Sequence, residues 1–205
     1  FDDPDDPLSY RWGDDHRKAQ QWSEQLKIHT PRGIHQRRYL FRKTHHGPIV
    51  GTHKGRPISL RLARFNAGGQ IAQWYAMSRA GSLAGFRKAI AALAIPMFNI
   101  IYADREGNIF YVYNAAVPRR STEFDWSKPV DGSDPRTEWR GYHTLDELPQ
   151  LLNPASGFLQ NCNQTPFATT NGDNPRPEDF PPYMVTEKDN PRGRISRRLL
   201  SRKEK

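Results

Sequence analysis

Two asparagines one residue apart have the side chains in this sequence most suited to chemistry. Asn161 and Asn163 lie in "GFLQNCNQTP", and if that run is an extended strand, both amides point to the same face. An amide N–H fixed in place can donate to an oxyanion, which is often the largest single contribution to lowering the barrier in acyl transfer. The alternative is a pair of loop or edge-strand amides bonded to nearby backbone. The residues alone leave both interpretations open.

Three histidines form a local cluster, but their spacing predicts no metal site. His45, His46 and His53 match no metal-binding pattern, and the sequence arranges no carboxylate or thiol with them. Cys162 is the only cysteine, so neither a disulfide nor a thiolate cluster can form within the chain. We therefore predict no metal and no cofactor.

Apolar periodicity predicts strands early in the chain and a helix in its middle. Residues 22–29 and 36–50 are predicted as two strands joined by a Pro-Arg-Gly turn, and alternation continues through a third strand over 58–66. Between residues 78 and 94 the apolar spacing changes to three and four, which is typical of a helix buried on one face. A basic amphipathic helix is predicted near "RGRISRRLL".

The stretch "NIIYADREGNIFYVYNAAVPRR" predicts an antiparallel hairpin over residues 98–113. The hairpin turns at residues 104–107, with Tyr102 and Ile109 buried. Because residues of both parities are mostly apolar, each strand is expected to be covered on both faces, as in a layered α+β arrangement. The residues from Pro118 to Pro149 are expected to be mostly loop.

Length and charge limit the possible classes of protein. A chain of 205 residues is long enough for one core, which predicts a single domain. The net charge is +9, and the last twenty residues carry eight basic against three acidic side chains. A basic nucleic-acid or anionic-surface binding module therefore stays an alternative, although no aromatic-interleaved basic platform supports nucleic acid as a partner.

Four stretches together resemble the penicillin acylase family of N-terminal nucleophile hydrolases. They are "RKTHHGPIV", the hairpin "NIIYADREGNIFYVYNAAVPRR", "NPASGFLQNCNQTP" and "PRGRISRRLL". The sequence "LQNCNQTPF" is similar to that of the branch that contains acyl-homoserine-lactone and aculeacin-type acylases. The resemblance implies part of a four-layer αββα sandwich with antiparallel sheets, in which the hairpin is an inner strand pair.

The resemblance also implies an activity and two site residues. The family hydrolyses N-acyl amides with a serine at the start of the β subunit, whose own α-amino group is the base. Asn163 matches the asparagine that donates to the oxyanion, and Arg192 matches an arginine near the nucleophile's polar network. The implied substrates are acyl-homoserine lactones or related long-chain amides, with β-lactam side chains as the alternative.

This sequence departs from the family pattern at its start. It begins with Phe1 rather than serine and lacks the "S-N-x-W" opening of the β subunit. We therefore expect residues 1–205 to be one incomplete domain from the centre of a β subunit, inactive alone. Its expected partners are the α subunit and the rest of the β subunit from the same precursor, and its expected location is periplasmic or secreted.

Overall fold

The computed structural model describes residue 1 and residues 3–202, and the chain divides into two compact units. The first unit comprises Phe1–Leu62 and Lys128–Glu138, and the second comprises Ala63–Ser127 and the residues from Trp139 onward. Within the described part of the chain, no helix has the length and apolar character needed to cross a bilayer. The single domain expected over residues 1–205 stays a prediction.

The first unit is built from antiparallel strands. They are β1 (Ser9–Trp12), β2 (Asp15–Lys18), β3 (Gln20–Thr30), β4 (Gly33–Thr44), β5 (Gly47–His53) and β6 (Arg56–Ser59). β1 pairs with β2, and β3 to β6 form a four-stranded sheet in sequence order. β3 and β4 pair without interruption from Gln20 opposite Lys43 to Thr30 opposite Gly33. The two strands expected on either side of the Pro-Arg-Gly turn are confirmed, but the second ends at Thr44, and residues 47–50 belong to β5.

Between β4 and β5 the chain reverses at His45 and His46, with Thr44 opposite Gly47. Gly47 has a φ of 141°, and a Cβ on it would lie 2.1 Å from the carbonyl oxygen of Leu60. Only glycine fits such an approach of two backbones. The turn therefore holds two adjacent histidines at a fixed place in the first unit.

The strand expected over residues 58–66 is much shorter than the alternation suggests. β6 ends at Ser59, although the N–H of Leu60 still donates to the carbonyl oxygen of Pro48 at 2.8 Å. Proline has no N–H to donate in return, so the ladder cannot continue past it. Leu60 and Leu62 are accordingly exposed rather than turned into a core. This prediction was wrong from Leu60 onward.

The second unit combines helices with a three-stranded antiparallel sheet. Its elements are α1 (Gln70–Ser78), α2 (Leu83–Ile90), β7 (Met97–Ala103), β8 (Ile109–Ala115), β9 (Gln150–Leu152) and α3 (Pro191–Leu200). The sheet order is β7-β8-β9. The apolar core lies where α2 packs on this sheet, and its buried members are Phe86, Ile90, Leu93, Ile100, Phe110, Val112, Val117, Leu145, Leu148 and Met184. The expected α+β class with antiparallel sheets is confirmed, and so is the basic helix at "RGRISRRLL".

The helix expected over residues 78–94 is shorter than predicted, because only Leu83–Ile90 of that range forms a helix, α2; the preceding α1 was not predicted. α1 ends at Ser78, and α2 begins at Leu83 after Ser82, whose side chain accepts from the N–H of Gly85 at 3.2 Å. A serine side chain in that position is a favourable N-cap, so it starts a new helix instead of continuing the old one. The apolar stripe was nonetheless correctly placed, because Phe86 and Ile90 are buried.

The hairpin over residues 98–113 is confirmed, with β7 opposite β8 from Met97–Ala115 to Ala103–Ile109. Its turn is fixed by Asp104, whose Oδ1 accepts from the N–H groups of Glu106 and Asn108. Burial differs from the expectation: Tyr102 and Ile109 are only partly buried. β8 is the central strand and buries residues on both faces, whereas β7 is an edge strand of this chain's sheet.

A short helical turn after the long irregular segment is anchored by an arginine of the "VPRR" motif. Leu145–Glu147 form a 3₁₀ turn with a capping box, in which Glu147 accepts from the N–H of Thr144 at 2.7 Å. Nη2 of Arg119 donates to both carboxylate oxygens of Glu147, at 2.8 and 2.6 Å. The hydrogen bonds from Thr144 and Arg119 lower the pKa of Glu147 to about 2.

Candidate functional site

Residues 161–164 form a turn rather than a strand. Asn163 has a φ of 58°, in the left-handed region that asparagine tolerates better than most residues. Its N–H donates to Oδ1 of Asn161 at 3.0 Å, and the N–H of Cys162 donates to Oε1 of Gln164 at 2.5 Å. The expectation that both asparagines share one face of a strand is therefore wrong. Only Asn163 presents an exposed side chain here.

The turn is held by Arg192 from the first turn of α3. Nη2 of Arg192 donates to the carbonyl oxygen of Cys162 at 2.8 Å and to Oδ1 of Asn163 at 3.3 Å. Because the oxygen of the Asn163 amide faces the guanidinium, the nitrogen is the end directed away from it. The positive charge also polarises the amide, which makes its N–H groups better donors. Asn163 and Arg192, both proposed from sequence, therefore lie together.

The N-terminus of α3 contacts the same turn through its N-cap. Asn190 accepts from the N–H of Gly193 at 2.9 Å, and its own Nδ2 donates to the carbonyl oxygen of Cys162 at 3.0 Å. The Cys162 carbonyl thus accepts from two side chains of the helix start. Since the N-terminus of a helix carries partial positive charge, this end of α3 favours a negative group nearby.

A buried glutamine sets the distance between α3 and the turn. Gln164 is fully buried, and besides the bond to Cys162 its Nε2 donates to the carbonyl oxygen of Ala168 at 3.2 Å. A Cβ on Gly193 would lie 3.2 Å from Cδ of Gln164, so the glycine of "PRGR" permits this close packing. Arg197 donates to the same carbonyl of Ala168 at 2.7 Å, and its hydrogen bond to Asp189 lowers the pKa of that carboxyl.

Asn161 has a different place from its neighbour. Its Oδ1 is engaged by the backbone of Asn163, while its Nδ2 is buried and has no hydrogen-bond partner among the described residues. A buried amide N–H without a partner costs roughly 1–3 kcal/mol. The Nδ2 group of Asn161 is therefore a buried donor without an acceptor among the described residues.

Sequence reasoning missed a carboxylate beside the histidine pair. Oε1 of Glu138 lies 2.6 Å from Nε2 of His45 and 3.8 Å from Nδ1 of His46, whereas His53 lies outside this group. Burial would raise the pKa of Glu138, but hydrogen bonds from Arg61 and His45 outweigh it and lower the pKa to about 2. Glu138 follows His45 by 93 positions, so no local pattern indicated the contact. The statement that no carboxylate accompanies the histidines was wrong.

The turn around Asn163 has the chemistry of an oxyanion site. It presents amide N–H groups beside a guanidinium and a helix N-terminus, and each of these stabilises negative charge on an oxygen. Such a donor set is chemically suited to acyl transfer. The penicillin amidase family model matches residues 2–205, and the chain belongs to that family.

A solved structure supports the same assignment. The thermostable penicillin G acylase from Alcaligenes faecalis matches 91% of this chain with a TM-score of 0.69 and 26% sequence identity. The similarity extends over nearly the whole described chain, so the chain has the fold of part of an N-terminal nucleophile hydrolase.

Curated relatives come from two branches of the family. Penicillin G acylase of Escherichia coli is 30% identical over 127 residues, which is 60% of this chain and 15% of that protein. The acyl-homoserine lactone acylase PvdQ of Pseudomonas fluorescens strain Pf-5 is 30% identical over 171 residues, which is 72% of this chain and 21% of that protein. The chain spans about a fifth or less of the length of these relatives.

Proposed function

We propose that this chain is the part of an N-acyl amide hydrolase that contributes Asn163 to the oxyanion hole. The observation that carries the proposal is the hydrogen bond from Arg192 to the amide oxygen of Asn163, which directs the amide nitrogen away from the guanidinium. When a nucleophile adds to the scissile carbonyl group, the carbonyl oxygen becomes negatively charged. It then accepts a hydrogen bond from Nδ2 of Asn163. Because this charge develops in the transition state, the bond raises kcat more than it tightens substrate binding.

The nucleophile in this proposal is a serine outside the present chain. It would be the first residue of a processed β subunit, and its α-amino group would take the proton from its own hydroxyl. One relative, from Pseudomonas sp. strain SE83, is described as the proenzyme of penicillin acylase 2 and is 26% identical over 159 residues. We accordingly infer autocatalytic processing of a precursor in the periplasm or outside the cell, and we expect residues 1–205 to be inactive alone.

Exposed apolar surface favours association of this chain with an α subunit and with the rest of the β subunit. The exposed face of α1 carries Ile71, Trp74 and Tyr75, which are 86%, 49% and 68% exposed. Clustered apolar side chains of this size are typical of interfaces.

The substrate class that we propose is acyl-homoserine lactones or related long-chain amides. The sequence motif "LQNCNQTPF" favours the branch that contains acyl-homoserine-lactone acylases. The acyl-homoserine lactone acylase named above also matches a larger share of this chain than the E. coli enzyme does. A β-lactam side-chain acylase remains the second candidate, because the similar Alcaligenes structure is that of a penicillin G acylase.

One experiment separates these candidates. The complete gene is expressed, processing is verified, and release of homoserine lactone, β-lactam nucleus and fatty acid is measured side by side. We expect homoserine lactone and fatty acid to be released from long-chain substrates. Release of the β-lactam nucleus alone would move the enzyme to the second candidate, and no release from any amide would overturn the proposed function.

A further inference from the structure

The first unit brings three potential metal ligands together from distant parts of the sequence. His45 and His46 occupy the turn between β4 and β5, and Glu138 ends the segment Lys128–Glu138. One ligand atom from each side chain lies within 4.8 Å of the other two. The side chains are between 15% and 25% exposed, so a hydrated ion can reach them.

The spacing of the ligand atoms suits a small tetrahedral ion. Bonds of about 2.0–2.1 Å to a tetrahedral Zn²⁺ place neighbouring ligand atoms about 3.3 Å apart. The two distances to Oε1 of Glu138 are 2.6 Å from His45 and 3.8 Å from His46, which lie on either side of that value. The third distance, between the two histidine nitrogens, is at most 4.8 Å. Changes of about 1.5 Å or less in these separations would therefore accommodate the ion.

The tautomer of His46 is fixed in the form that a metal requires. Its Nε2 lies 2.8 Å from the carbonyl oxygen of Gly132. A carbonyl can only accept, so Nε2 carries the hydrogen and, in the neutral ring, Nδ1 has the lone pair. Nδ1 is the atom that faces Glu138. A metal-binding histidine commonly donates a hydrogen bond from its other ring nitrogen to a backbone carbonyl, which fixes the orientation of the ring.

The other two side chains also have outer partners. Nε2 of His45 carries the hydrogen that it donates to Glu138, so binding of an ion there would displace this proton and leave the ring hydrogen on Nδ1. Nδ1 of His45 lies 2.8 Å from the hydroxyl of Tyr10, which can accept from that nitrogen when Nε2 binds a metal. Oε2 of Glu138 accepts from Nη1 of Arg61 at 2.7 Å, which leaves Oε1 to face the histidines. Each of the three candidate ligands thus has an outer partner on the atom that would not touch the ion.

We propose that His45, His46 and Glu138 bind one divalent transition-metal ion, Zn²⁺ in the first place, through Nε2, Nδ1 and Oε1. Two imidazoles and one carboxylate suit Zn²⁺ better than Ca²⁺, which takes oxygen ligands. Three protein ligands leave a fourth position for water. The ion would connect the β4–β5 turn to the segment that ends at Glu138 and so stabilise the first unit, and the proposal is independent of the proposed hydrolase function.

The test uses the complete processed enzyme after removal of metals with a chelator. It is titrated with Zn²⁺ alone and, in parallel, with Co²⁺ as a spectroscopic probe. We expect saturable uptake of one equivalent, a visible Co²⁺ spectrum of nitrogen and oxygen ligands that Zn²⁺ abolishes, and two imidazoles in the first shell by X-ray absorption of the zinc-loaded protein. Absence of saturable uptake, or a first shell without imidazole, overturns the proposal.

A matched pair of variants locates the site. His46→Gln keeps a side-chain N–H for the carbonyl of Gly132 and removes the Nδ1 ligand, whereas His53→Gln changes an exposed histidine of β5 outside the group. His46→Gln should weaken Zn²⁺ binding more than about 100-fold, because even outer-shell changes cost about 10- to 100-fold. His53→Gln should bind as the wild type does. Equal affinity of the two variants contradicts the assignment, and if His46→Gln does not fold, the wild-type spectra decide.

Discussion

At position 163 both the backbone conformation and the proposed chemistry favour asparagine. The left-handed conformation of Asn163 is tolerated by asparagine and aspartate and costs alanine about 1 kcal/mol or more. An Asn163→Ala variant therefore combines the loss of the amide with a backbone cost. Asn163→Asp keeps the conformation and replaces the N–H donors with a negative oxygen, so it is the matched variant for separating catalysis from folding.

Arg192 is a positioning residue whose effect should appear in kcat. Arg192→Ala removes the bond that orients the Asn163 amide and one of the two donors to the Cys162 carbonyl. Because hydrogen bonds to charged groups contribute roughly 1.5–3 kcal/mol, we expect kcat to fall by roughly 10- to 100-fold with a smaller change in KM. The measurement is steady-state kinetics of the processed enzyme.

Arg194 provides the control for Arg192, since it lies exposed on the same helix with only a 3.8 Å approach to Asp189. Arg194→Ala should leave kcat near the wild-type value. Equal losses in the two variants would mean that α3 acts only through general stability.

The site residues were reachable from sequence only by resemblance. The motif placed Asn163 and Arg192 in the site, and the structure brings them within 3.3 Å of each other. Alternation of the two asparagines suggested a strand, but asparagine also favours turns and left-handed backbone, and the turn prevailed here. The contact of Glu138 with His45 was not predictable at all, because nothing local in the sequence links residues 93 positions apart.

At the scale of elements, the docking of α3 depends on Gly193. Alanine is normally favoured over glycine inside a helix by about 1 kcal/mol. Here its Cβ would lie 3.2 Å from Gln164, which cannot shift without loss of its bonds to Cys162 and Ala168. We expect Gly193→Ala to destabilise the enzyme by roughly 1–2 kcal/mol, as overpacking does.

Chemical denaturation of Gly193→Ala beside Arg194→Ala checks this expectation. Arg194→Ala introduces a good helix former at an exposed position and should leave stability nearly unchanged. A stabilised Gly193→Ala enzyme would show that the helix is free to move away from Gln164.

Glu147 should make stability depend on acid pH. Its pKa is lowered from the ordinary 4.5 to about 2 by the hydrogen bonds from Thr144 and Arg119. A carboxyl whose pKa is lower in the folded state stabilises fully above the unfolded value and loses that contribution as the pH falls toward the folded value. We therefore expect the loss between about pH 4.5 and pH 2. Glu147→Gln and Arg119→Ala should both make this loss of stability smaller. The measurement is the free energy of unfolding as a function of pH, and an identical profile in the wild type and the two variants would contradict this role of Glu147.

The main hairpin and the helices α2 and α3 were predicted with the correct type and inaccurate ends, whereas β1, β2, β9 and α1 were not predicted. The stripe of Phe86 and Ile90 identified the buried face of α2, but Ser82 caps this helix, which therefore begins at Leu83 rather than at residue 78. After β6 the apolar alternation continues through Leu60 and Leu62, but strand pairing with β5 has already ended. It ends because Pro48 on β5 has no N–H to donate. Side-chain periodicity records which faces are apolar, whereas element ends depend on backbone partners in another segment.

At the scale of the whole molecule, the chain exposes apolar surface that we expect the remainder of the enzyme to cover. Ile34 and Leu40 on β4 are 66% and 60% exposed, and Met97 and Phe98 on β7 are 68% and 58% exposed. We predict that residues 1–205 expressed alone bind a hydrophobic dye strongly and hydrolyse no N-acyl amide above background. Turnover by this fragment that disappears on a substitution within it would show that the nucleophile lies in the present chain.

In the proposed hydrolase, Asn163 stabilises the oxyanion that forms when the amide is attacked. The most direct test is kcat of the complete, correctly processed enzyme carrying Asn163→Ala or Asn163→Asp, measured on the wild type's best substrate, with Asn161→Ala as the neighbouring control. We predict that both changes at 163 lower kcat by roughly 10²- to 10³-fold with little change in KM, and that Asn161→Ala acts mainly on stability or processing. Near-normal kcat in folded, processed Asn163 variants, together with loss of turnover in Asn161→Ala, would contradict the account.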